Sequence, residues 1–220
     1  MELVNQSFQI LDEIDSEKML KSIEIAGRVC YKSEDKITKD SAMEFVAMVM
    51  KRGHESVIEH EKVSVKIVCD RGVSHEIVRH RIASYSQEST RYVNYNKRGI
   101  TFIIPTWVDI KPGVYGGDLD LKYLSNLPDA LWYNAMSASE AFYNKLIEEG
   151  WRPEQARSVL PNSLKTEIVV TYNLREWRHF FKLRTSAAAH PQMREITIPM
   201  LSQFKDLIPV VFDDIRGDFE

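Results

Sequence analysis

The amino-acid sequence predicts a mixed α+β fold, one domain with a central, mainly antiparallel sheet flanked by helices. Segments with the two-residue period of strands are interspersed with segments of helical period. They lack the regular strand–helix rhythm of a doubly wound parallel sheet. The chain has 220 residues, of which 44% are hydrophobic, so it can bury a sizeable core. Because no internal repeat divides it, we expect residues 1–220 to form a single domain.

The first half of the chain is predicted to contain two strands and two helices. Residues 7–13 are expected to form a short strand. A helix over 16–31 follows, with a serine at its start as a candidate N-cap. A second helix over 38–52 has the S-x-x-E pattern of a capping box near its start and a glycine just after its end. The clearest strand is 62–69, KVSVKIVC, where apolar residues occupy every second position.

The second half carries similar signals around one long loop. Proline and glycine are frequent in residues 109–127, which we interpret as an insertion within the domain. Apolar strands at 100–104 and 165–172 lie on either side of this loop. Helices are expected at residues 74–79, 128–149, from Pro153, 174–184 and 192–206.

Composition and charge exclude several classes of function. The net charge of −3 is too close to neutral for a general nucleic-acid coat or membrane-surface binder. The N-terminus lacks the pattern of a signal peptide, and no apolar run approaches the roughly 18 residues of a membrane span. Cys30 and Cys69 form no metal-binding motif, and we expect both to be buried, reduced thiols. These features favour a cytoplasmic protein without a metal site.

A basic segment stands out in this nearly neutral chain. Residues 79–98 contain five Lys or Arg side chains against one acid, Glu88, and four Ser or Thr hydroxyls lie among them. Guanidinium and hydroxyl donors together can surround a phosphate, so this segment predicts an anionic small-molecule ligand. Two alternatives remain open. The segment is either a solvated basic loop or, because RYVNYNKR interleaves aromatic rings and cations, a stacking surface for single-stranded nucleic acid.

Three further motifs carry polar side chains. HESVIEH at residues 54–60 has its histidines six apart, unlike the HExxH of zinc proteases, which favours local pairing over a metal site. Arg157 lies in ARSVLP. The segment YNLREWRHFFKLR, residues 172–184, predicts an amphipathic helix with Leu174, Trp177 and Phe181 on its core face. Its expected solvent face carries Arg175, Arg178, His179 and Lys182.

Taken together, these motifs resemble those of the flavin-dependent thymidylate synthases. RHR at 79–81, followed by seven residues and Ser89, resembles the signature of that family, and Arg91 continues it as SxR. HESVIEH is similar to the family's HE[ST]xxEH segment. The resemblance implies reductive methylation of dUMP to dTMP, with 5,10-methylenetetrahydrofolate as carbon donor and NADPH as reductant through bound FAD. It also implies a homotetramer with FAD sites between subunits. A flavoprotein of the same fold that oxidises a nicotinamide without transferring carbon is an alternative.

The resemblance also implies roles for individual residues. Arg184 and His54 would be catalytic. The dUMP-binding residues would be Glu76, Arg79, Gln87, Glu88, Ser89, Thr90, Arg91, Arg157 and Arg184. The FAD-binding residues would be Ser56, Arg79, His80, Arg81, Gln87, Asn173, Arg175 and His179. The chain departs from the family pattern in two places, since relatives often have Gln at the position of Glu76 and Glu-Leu at the position of Gln87-Glu88.

Overall fold

The computed structural model describes residues 1–116 and 126–217 and confirms the mixed α+β class. Seven strands are defined within these ranges: β1 Glu2–Val4, β2 Ser7–Ile10, β3 Lys62–Asp70, β4 Ala83–Gln87, β5 Thr101–Ile103, β6 Gly113–Val114 and β7 Lys165–Asn173. The α-helices in the same ranges are α1 Ser16–Val29, α2 Ser41–Lys51, α3 Arg71–Ile77, α4 Tyr95–Arg98, α5 Leu127–Glu148, α6 Pro153–Ala156, α7 Leu174–Arg184, α8 Pro191–Leu207 and α9 Pro209–Phe212. Short 3-10 turns cover Glu34–Lys36, Glu55–His60 and Arg157–Val159.

The strands form two sheets. The larger sheet has the strand order β2-β3-β7-β4. In β3 and β7, alternate residues are buried, as the two-residue period of their sequences predicts. The smaller sheet has the order β5-β1-β6, in which β1 runs parallel to β5 and antiparallel to β6. Leu3 in the centre of β1 pairs with Phe102 on one side and with Gly113 on the other.

The described residues form two compact units. The first unit contains the described residues within Met1–Ser7, Ile67–Arg79 and Ser86–Ile168. The second unit contains the described residues within Phe8–Lys66, His80–Tyr85 and Val169–Glu220. Strands β3, β4 and β7 each contribute residues to both units. The single-domain organisation therefore stays a prediction. Among the described helices, none has the length and apolar character that crossing a membrane requires.

The core of the first unit is built on α5 and the small sheet. Tyr133, Met136 and Tyr143 of α5 pack with Leu3 and Phe102, and all five side chains are buried. Tyr143 also stacks edge-on against Tyr95, at 5.9 Å between ring centroids. Burying such large rings removes much apolar surface from water, which is the main favourable term in folding.

The core of the second unit is an aromatic cluster centred on α7. Trp177 lies 5.5 Å from Phe181 and 5.0 Å from Phe204, measured between ring centroids. Its indole Nε1 donates a hydrogen bond to the Val63 carbonyl oxygen, 2.9 Å away, so the polar atom of this buried ring is satisfied. The core face predicted for the amphipathic helix 174–184 is confirmed, because Leu174, Trp177 and Phe181 are fully buried.

Several elements differ from the sequence-based expectation. Helix α1 is capped by Asp15, whose carboxylate accepts from the Lys18 backbone N–H, and not by Ser16. Cys30 is exposed because it lies at the C-cap of α1, where the chain leaves the core, whereas Cys69 is buried as predicted. Strand β6 lies inside the predicted loop 109–127, of which residues 117–125 are outside the described residues. Strand β4, within the basic segment, was also unexpected.

Candidate functional site

The first unit contains a cation-rich cavity of about 520 Å³. Two of the predicted nucleotide-binding residues, Thr90 and Arg157, line it. Arg157 Nη1 donates a hydrogen bond to Thr90 Oγ1 over 2.9 Å, which holds the guanidinium against the buried threonine. Arg71 and His75 of α3 line the same cavity and add positive or hydrogen-bonding character. A fixed guanidinium beside a hydroxyl is a suitable arrangement for binding a phosphate.

The turn that carries Thr90 is held together by hydrogen bonds to Ser89. Ser89 Oγ accepts from the Arg91 backbone N–H at 3.3 Å, and the Ser89 carbonyl oxygen accepts from Tyr92 and Val93 N–H groups. The Arg91 side chain is exposed, and its Nη2 lies 4.0 Å from Glu154, another residue that lines the cavity. The predicted residues Ser89, Thr90, Arg91 and Arg157 are therefore brought together in the first unit.

Two other predicted nucleotide ligands have partners within the protein. Gln87 Nε2 donates to Ser74 Oγ at 3.0 Å and to Thr166 Oγ1 at 3.2 Å. Glu88 accepts from Tyr95 Oη at 3.1 Å and from Lys165 Nζ at 3.3 Å. Burial raises the pKa of Tyr95, and the nearby Glu88 carboxylate raises it further. The Tyr95 hydroxyl therefore stays protonated and donates to Glu88.

The remaining predicted nucleotide ligands of the first unit are Glu76 and Arg79, the first residue of the RHR motif. Glu76 is half-buried on α3, and Arg79 follows this helix with an exposed side chain. Neither residue lines the 520 Å³ cavity. Arg184, the predicted ligand of the uracil ring, belongs to the second unit.

The second unit contains a larger cavity of about 800 Å³ beside α1 and α2. His54, Ser56 and Arg175, all predicted from the motifs, line it. Ser56 lies in the 3-10 turn Glu55–His60, and His54 directly precedes this turn. Both residues are exposed. Further basic side chains at its surface are Arg28, Lys36 and Arg52, against the acids Glu44 and Glu55. The lining therefore has an excess of positive charge, which favours an anionic ligand.

Arg175 also lines a second cavity of about 400 Å³, together with Asn173 and His179. The Arg175 Nη1 forms an ion pair with Glu59 Oε1 at 2.5 Å. Asn173 is the N-cap of α7, and its Oδ1 accepts from the Glu176 backbone N–H at 2.8 Å. Of the predicted FAD ligands in this unit, Ser56, Asn173, Arg175 and His179 line one or both cavities.

His80 of the RHR motif lies in a buried polar cluster of the second unit. Its Nδ1 is 2.8 Å from Glu176 Oε1, and its Nε2 is 3.3 Å from Arg184 Nε. The ring of His179 is 5.4 Å away between centroids. Burial lowers the pKa of His80, although its hydrogen bond to Glu176 acts in the opposite direction, and the positive charge of Arg184 lowers the pKa further. His80 is therefore neutral at pH 7. Arg81, next in the chain, is exposed.

The same cluster offers a possible set of metal ligands. Donor atoms of His80, Glu176 and His179 lie within 4.8 Å of one another. Two features disfavour a metal ion here. Both ring nitrogens of His80 already have hydrogen-bond partners, and one of these is the guanidinium of Arg184, whose charge repels a cation.

Arg178 departs from the prediction that it faces solvent. It is buried and donates through Nη1 and Nη2 to both carboxylate oxygens of Asp214, at 2.6 and 2.7 Å. It also contacts Glu55, at 3.1 Å from Nη2, and the Val211 carbonyl oxygen. These bonds provide partners for the donors of the guanidinium, so the charged side chain can be buried although its position on α7 was expected to face solvent. Arg178 thereby anchors the start of the HESVIEH segment.

Sequence reasoning missed several residues of these cavities. Arg71 was overlooked because the helix was expected to begin only at residue 74, although Arg71 directly follows the alternating strand β3. His75 lies inside the expected helix, and no local signal marks it as a cavity residue. Arg28 and Arg52 lie in ordinary amphipathic helix ends, and no local signal marks them as cavity residues. Glu176 was not singled out either, because its contact with His80 joins residues 96 positions apart.

Comparisons with known proteins agree with the motifs. The family model described as thymidylate synthase complementing protein matches residues 11–210. The chain is 34% identical over 200 residues to a flavin-dependent thymidylate synthase of Geobacter sulfurreducens, covering 88% of this chain and 80% of the relative. It is 33% identical over 204 residues to the enzyme of the same name from Pyrococcus abyssi, covering 87% and 78%.

The fold is similar to that of a solved structure, a UMP/dUMP methylase from Streptomyces cacaoi bound with 5-Br dUMP. That similarity has a TM-score of 0.74 and 26% sequence identity, and it covers 97% of this chain and 96% of the other.

Proposed function

The chain belongs to the flavin-dependent thymidylate synthase family, and we propose in detail how its residues serve the conversion of dUMP to dTMP. It is a flavin-dependent, methyl-transferring enzyme. The carbon donor is 5,10-methylenetetrahydrofolate and the reductant is NADPH. The observation that carries the proposal for the substrate site is the cation-rich cavity of the first unit, where Arg157 is bonded to Thr90 beside the RHR-x7-S signature.

The cavities of the second unit fit FAD by their donor chemistry. A flavin dinucleotide carries a diphosphate, which guanidinium and imidazole donors recognise. Arg175 lines both cavities. Ser56 adds a hydrogen-bonding side chain to the larger cavity, and Asn173 and His179 add theirs to the smaller one. We assign these four residues to FAD, together with Arg79, His80, Arg81 and Gln87 of the signature segment. FAD, when bound, supplies the reducing equivalents for the one-carbon unit.

The dUMP phosphate is assigned to the cavity of the first unit. Arg157 and Arg91 would neutralise its charge, and Ser89 and Thr90 would bond its oxygens through hydroxyl or backbone groups. Glu76, Arg79, Gln87 and Glu88 are the remaining assigned ligands on this unit. Ser89 Oγ accepts a hydrogen bond from the Arg91 backbone N–H. A bound phosphate oxygen would replace Ser89 Oγ as the acceptor of that bond, which supports a ligand-binding role for Ser89.

Arg184 would act on the uracil ring. A fixed cation near the ring oxygens stabilises negative charge there and makes the C5 carbon more nucleophilic. Losing one such donor costs enzymes about 2.7–4 kcal/mol of transition-state stabilisation. His54 is the second catalytic residue we assign, because it lines the larger cavity of the second unit with an exposed imidazole. Burial raises the pKa of Cys69, so this thiol is a poor candidate for nucleophilic catalysis.

We also propose the higher-order organisation that the family resemblance implies. The chain would act as one domain in a homotetramer, with FAD sites between subunits, in the cytoplasm. Sedimentation of the FAD-loaded protein tests the tetramer directly.

The decisive experiment measures dTMP formation by purified protein supplied with dUMP, methylenetetrahydrofolate and NADPH. It is run with FAD, after flavin removal, and with the variants Arg184→Ala and Lys21→Ala. Lys21 is an exposed control residue that pairs with Glu17. We expect FAD-dependent product, a loss of about 100- to 1,000-fold in kcat for Arg184→Ala, and no change for Lys21→Ala.

Two results would contradict parts of this proposal. If NADPH bleached the bound flavin but no dTMP formed, the chain would be a flavoprotein that oxidises a nicotinamide without carbon transfer. Full turnover by Arg184→Ala would remove the assigned role of Arg184 and leave the reaction itself intact.

A further inference from the structure

The buried cluster around His80 links the two ends of helix α7. Glu176 lies in the first turn and Arg184 is the last residue, eight positions later. Eight residues of α-helix rise about 12 Å, so the two side chains belong to ends of α7 separated by more than two turns. The imidazole of His80 bridges them, with Nδ1 on Glu176 and Nε2 on Arg184.

The donors and acceptors of this chain allow one arrangement of protons. An arginine Nε–H can only donate, so His80 Nε2 must accept from Arg184. A neutral imidazole then carries its proton on Nδ1 and donates it to Glu176 Oε1. An imidazolium would place an N–H against the Arg184 N–H. The hydrogen bond between them would be lost, and the two positive charges would repel each other. The network therefore selects the neutral Nδ1–H tautomer.

Glu176 is itself held in place. Its backbone N–H donates to the Asn173 Oδ1 at 2.8 Å, and its position in the first turn of α7 favours a negative charge. The residue is 8% exposed, so the carboxylate has little access to competing water. Among the described residues, the titratable or charged groups around His80 also include Arg184, His179, Tyr172, whose ring centroid is 6.0 Å away, and Tyr85, whose hydroxyl donates to the His80 carbonyl oxygen. A hydrogen-bond acceptor fixed opposite Nδ1 is what the Nδ1–H tautomer requires.

We propose that Glu176 is a positioning residue for this reaction. It holds His80 in the tautomer whose Nε2 accepts from Arg184 Nε, and this bond fixes the plane and direction of the guanidinium. The guanidinium would then be oriented before the uracil ring binds. The catalytic benefit rests on the proposed role of Arg184, whereas the hydrogen-bond chain itself does not.

The test compares Glu176→Ala and Glu176→Gln with wild type, and Glu148→Gln serves as an exposed control on helix α5. The glutamine amide oxygen can still accept from Nδ1–H, so Glu176→Gln should preserve the tautomer. The alanine side chain has no acceptor, so Glu176→Ala should not preserve it. We expect kcat per bound flavin to fall about 10- to 100-fold in Glu176→Ala, and to stay within about threefold of wild type in Glu176→Gln. FAD content and the KM for dUMP should change less than kcat.

A second readout is independent of turnover. In protein carrying ¹⁵N-labelled histidine rings, the His80 signals are assigned by their loss in His80→Gln. Wild type and Glu176→Gln should show a protonated Nδ1 and an unprotonated Nε2, and Glu176→Ala should lose this preference. An unchanged tautomer in Glu176→Ala, or equal losses of kcat in the alanine and glutamine variants, would overturn the proposal. If the tautomer responds but Arg184→Ala keeps full turnover, the positioning holds and the proposed function of Arg184 fails.

Discussion

Replacing Arg157 by alanine should weaken dUMP binding by an amount that the structure sets. Arg157 Nη1 is bonded to Thr90 Oγ1 at 2.9 Å, so the guanidinium is already oriented beside the cavity before a phosphate arrives. A hydrogen bond to a charged group contributes about 1.5–3 kcal/mol. The Kd for dUMP should therefore rise about 10- to 150-fold. Arg157→Lys should lie between wild type and alanine, because it keeps the charge but loses the planar fork.

The assay is calorimetric titration of the FAD-loaded protein with dUMP and, separately, with deoxyuridine. Deoxyuridine lacks the phosphate, so the affinity of each variant for it should match that of wild type. Lys21→Ala provides an exposed, charge-matched control on a different element. Equal weakening for both ligands would refute the phosphate assignment, since it would mean that Arg157→Ala disturbs the site as a whole. An unchanged Kd for dUMP would place the phosphate elsewhere.

Three other perturbations test the packing, the acid sensitivity and the cofactor site. Gly27→Ala should lower the free energy of unfolding, measured in urea, by about 1–3 kcal/mol, because the added Cβ would lie 2.6 Å from Cζ of Phe45; equal or higher stability would contradict this. The Arg178 guanidinium, through its hydrogen bond, lowers the pKa of Asp214 in the folded state. The stability from this pair is therefore present above the unfolded pKa of about 3.9 and is lost as pH falls through the lower folded value. Asp214→Asn should accordingly be destabilised at pH 7 and approach wild type near pH 2, and a pH-independent difference would refute the linkage. Arg175→Ala should bind FAD about tenfold more weakly in a flavin fluorescence titration, because it removes the guanidinium that lines both cavities; unchanged flavin affinity would move the cofactor elsewhere.

Local periodicity predicted the long elements well. Alternating residues in 62–69 and 165–172 became β3 and β7 with alternate burial, and a glycine at φ 72° follows α2 as the stop signal indicated. Two of the three strands that periodicity missed are very short. Strand β1 has three residues and β6 has two, which is too few for a period to be recognised. Such strands form because a neighbouring strand supplies their hydrogen bonds.

The candidate site was also predictable from the sequence only in part. The motifs contain residues that line the cavities: Ser56 in HESVIEH, Thr90 in the SxR continuation of the signature, and Arg175 in the segment 172–184. The spacing of a motif cannot show which partner each side chain finds. Arg178 has the spacing of a solvent-facing residue on α7, yet Asp214 and Glu55 hold it inside.

The sequence by itself determined the mixed α+β class, the long helices and strands, and the family of this enzyme, because these depend on local periodicity and on motifs contiguous in the chain. Only the tertiary structure decided that Glu176, His80 and Arg184 form one hydrogen-bonded chain, and that Arg71 and His75 join Arg157 at one cavity. These groups come from segments tens of residues apart. Hydrogen bonds and charges act over a few ångströms in space, and sequence distance does not encode that separation.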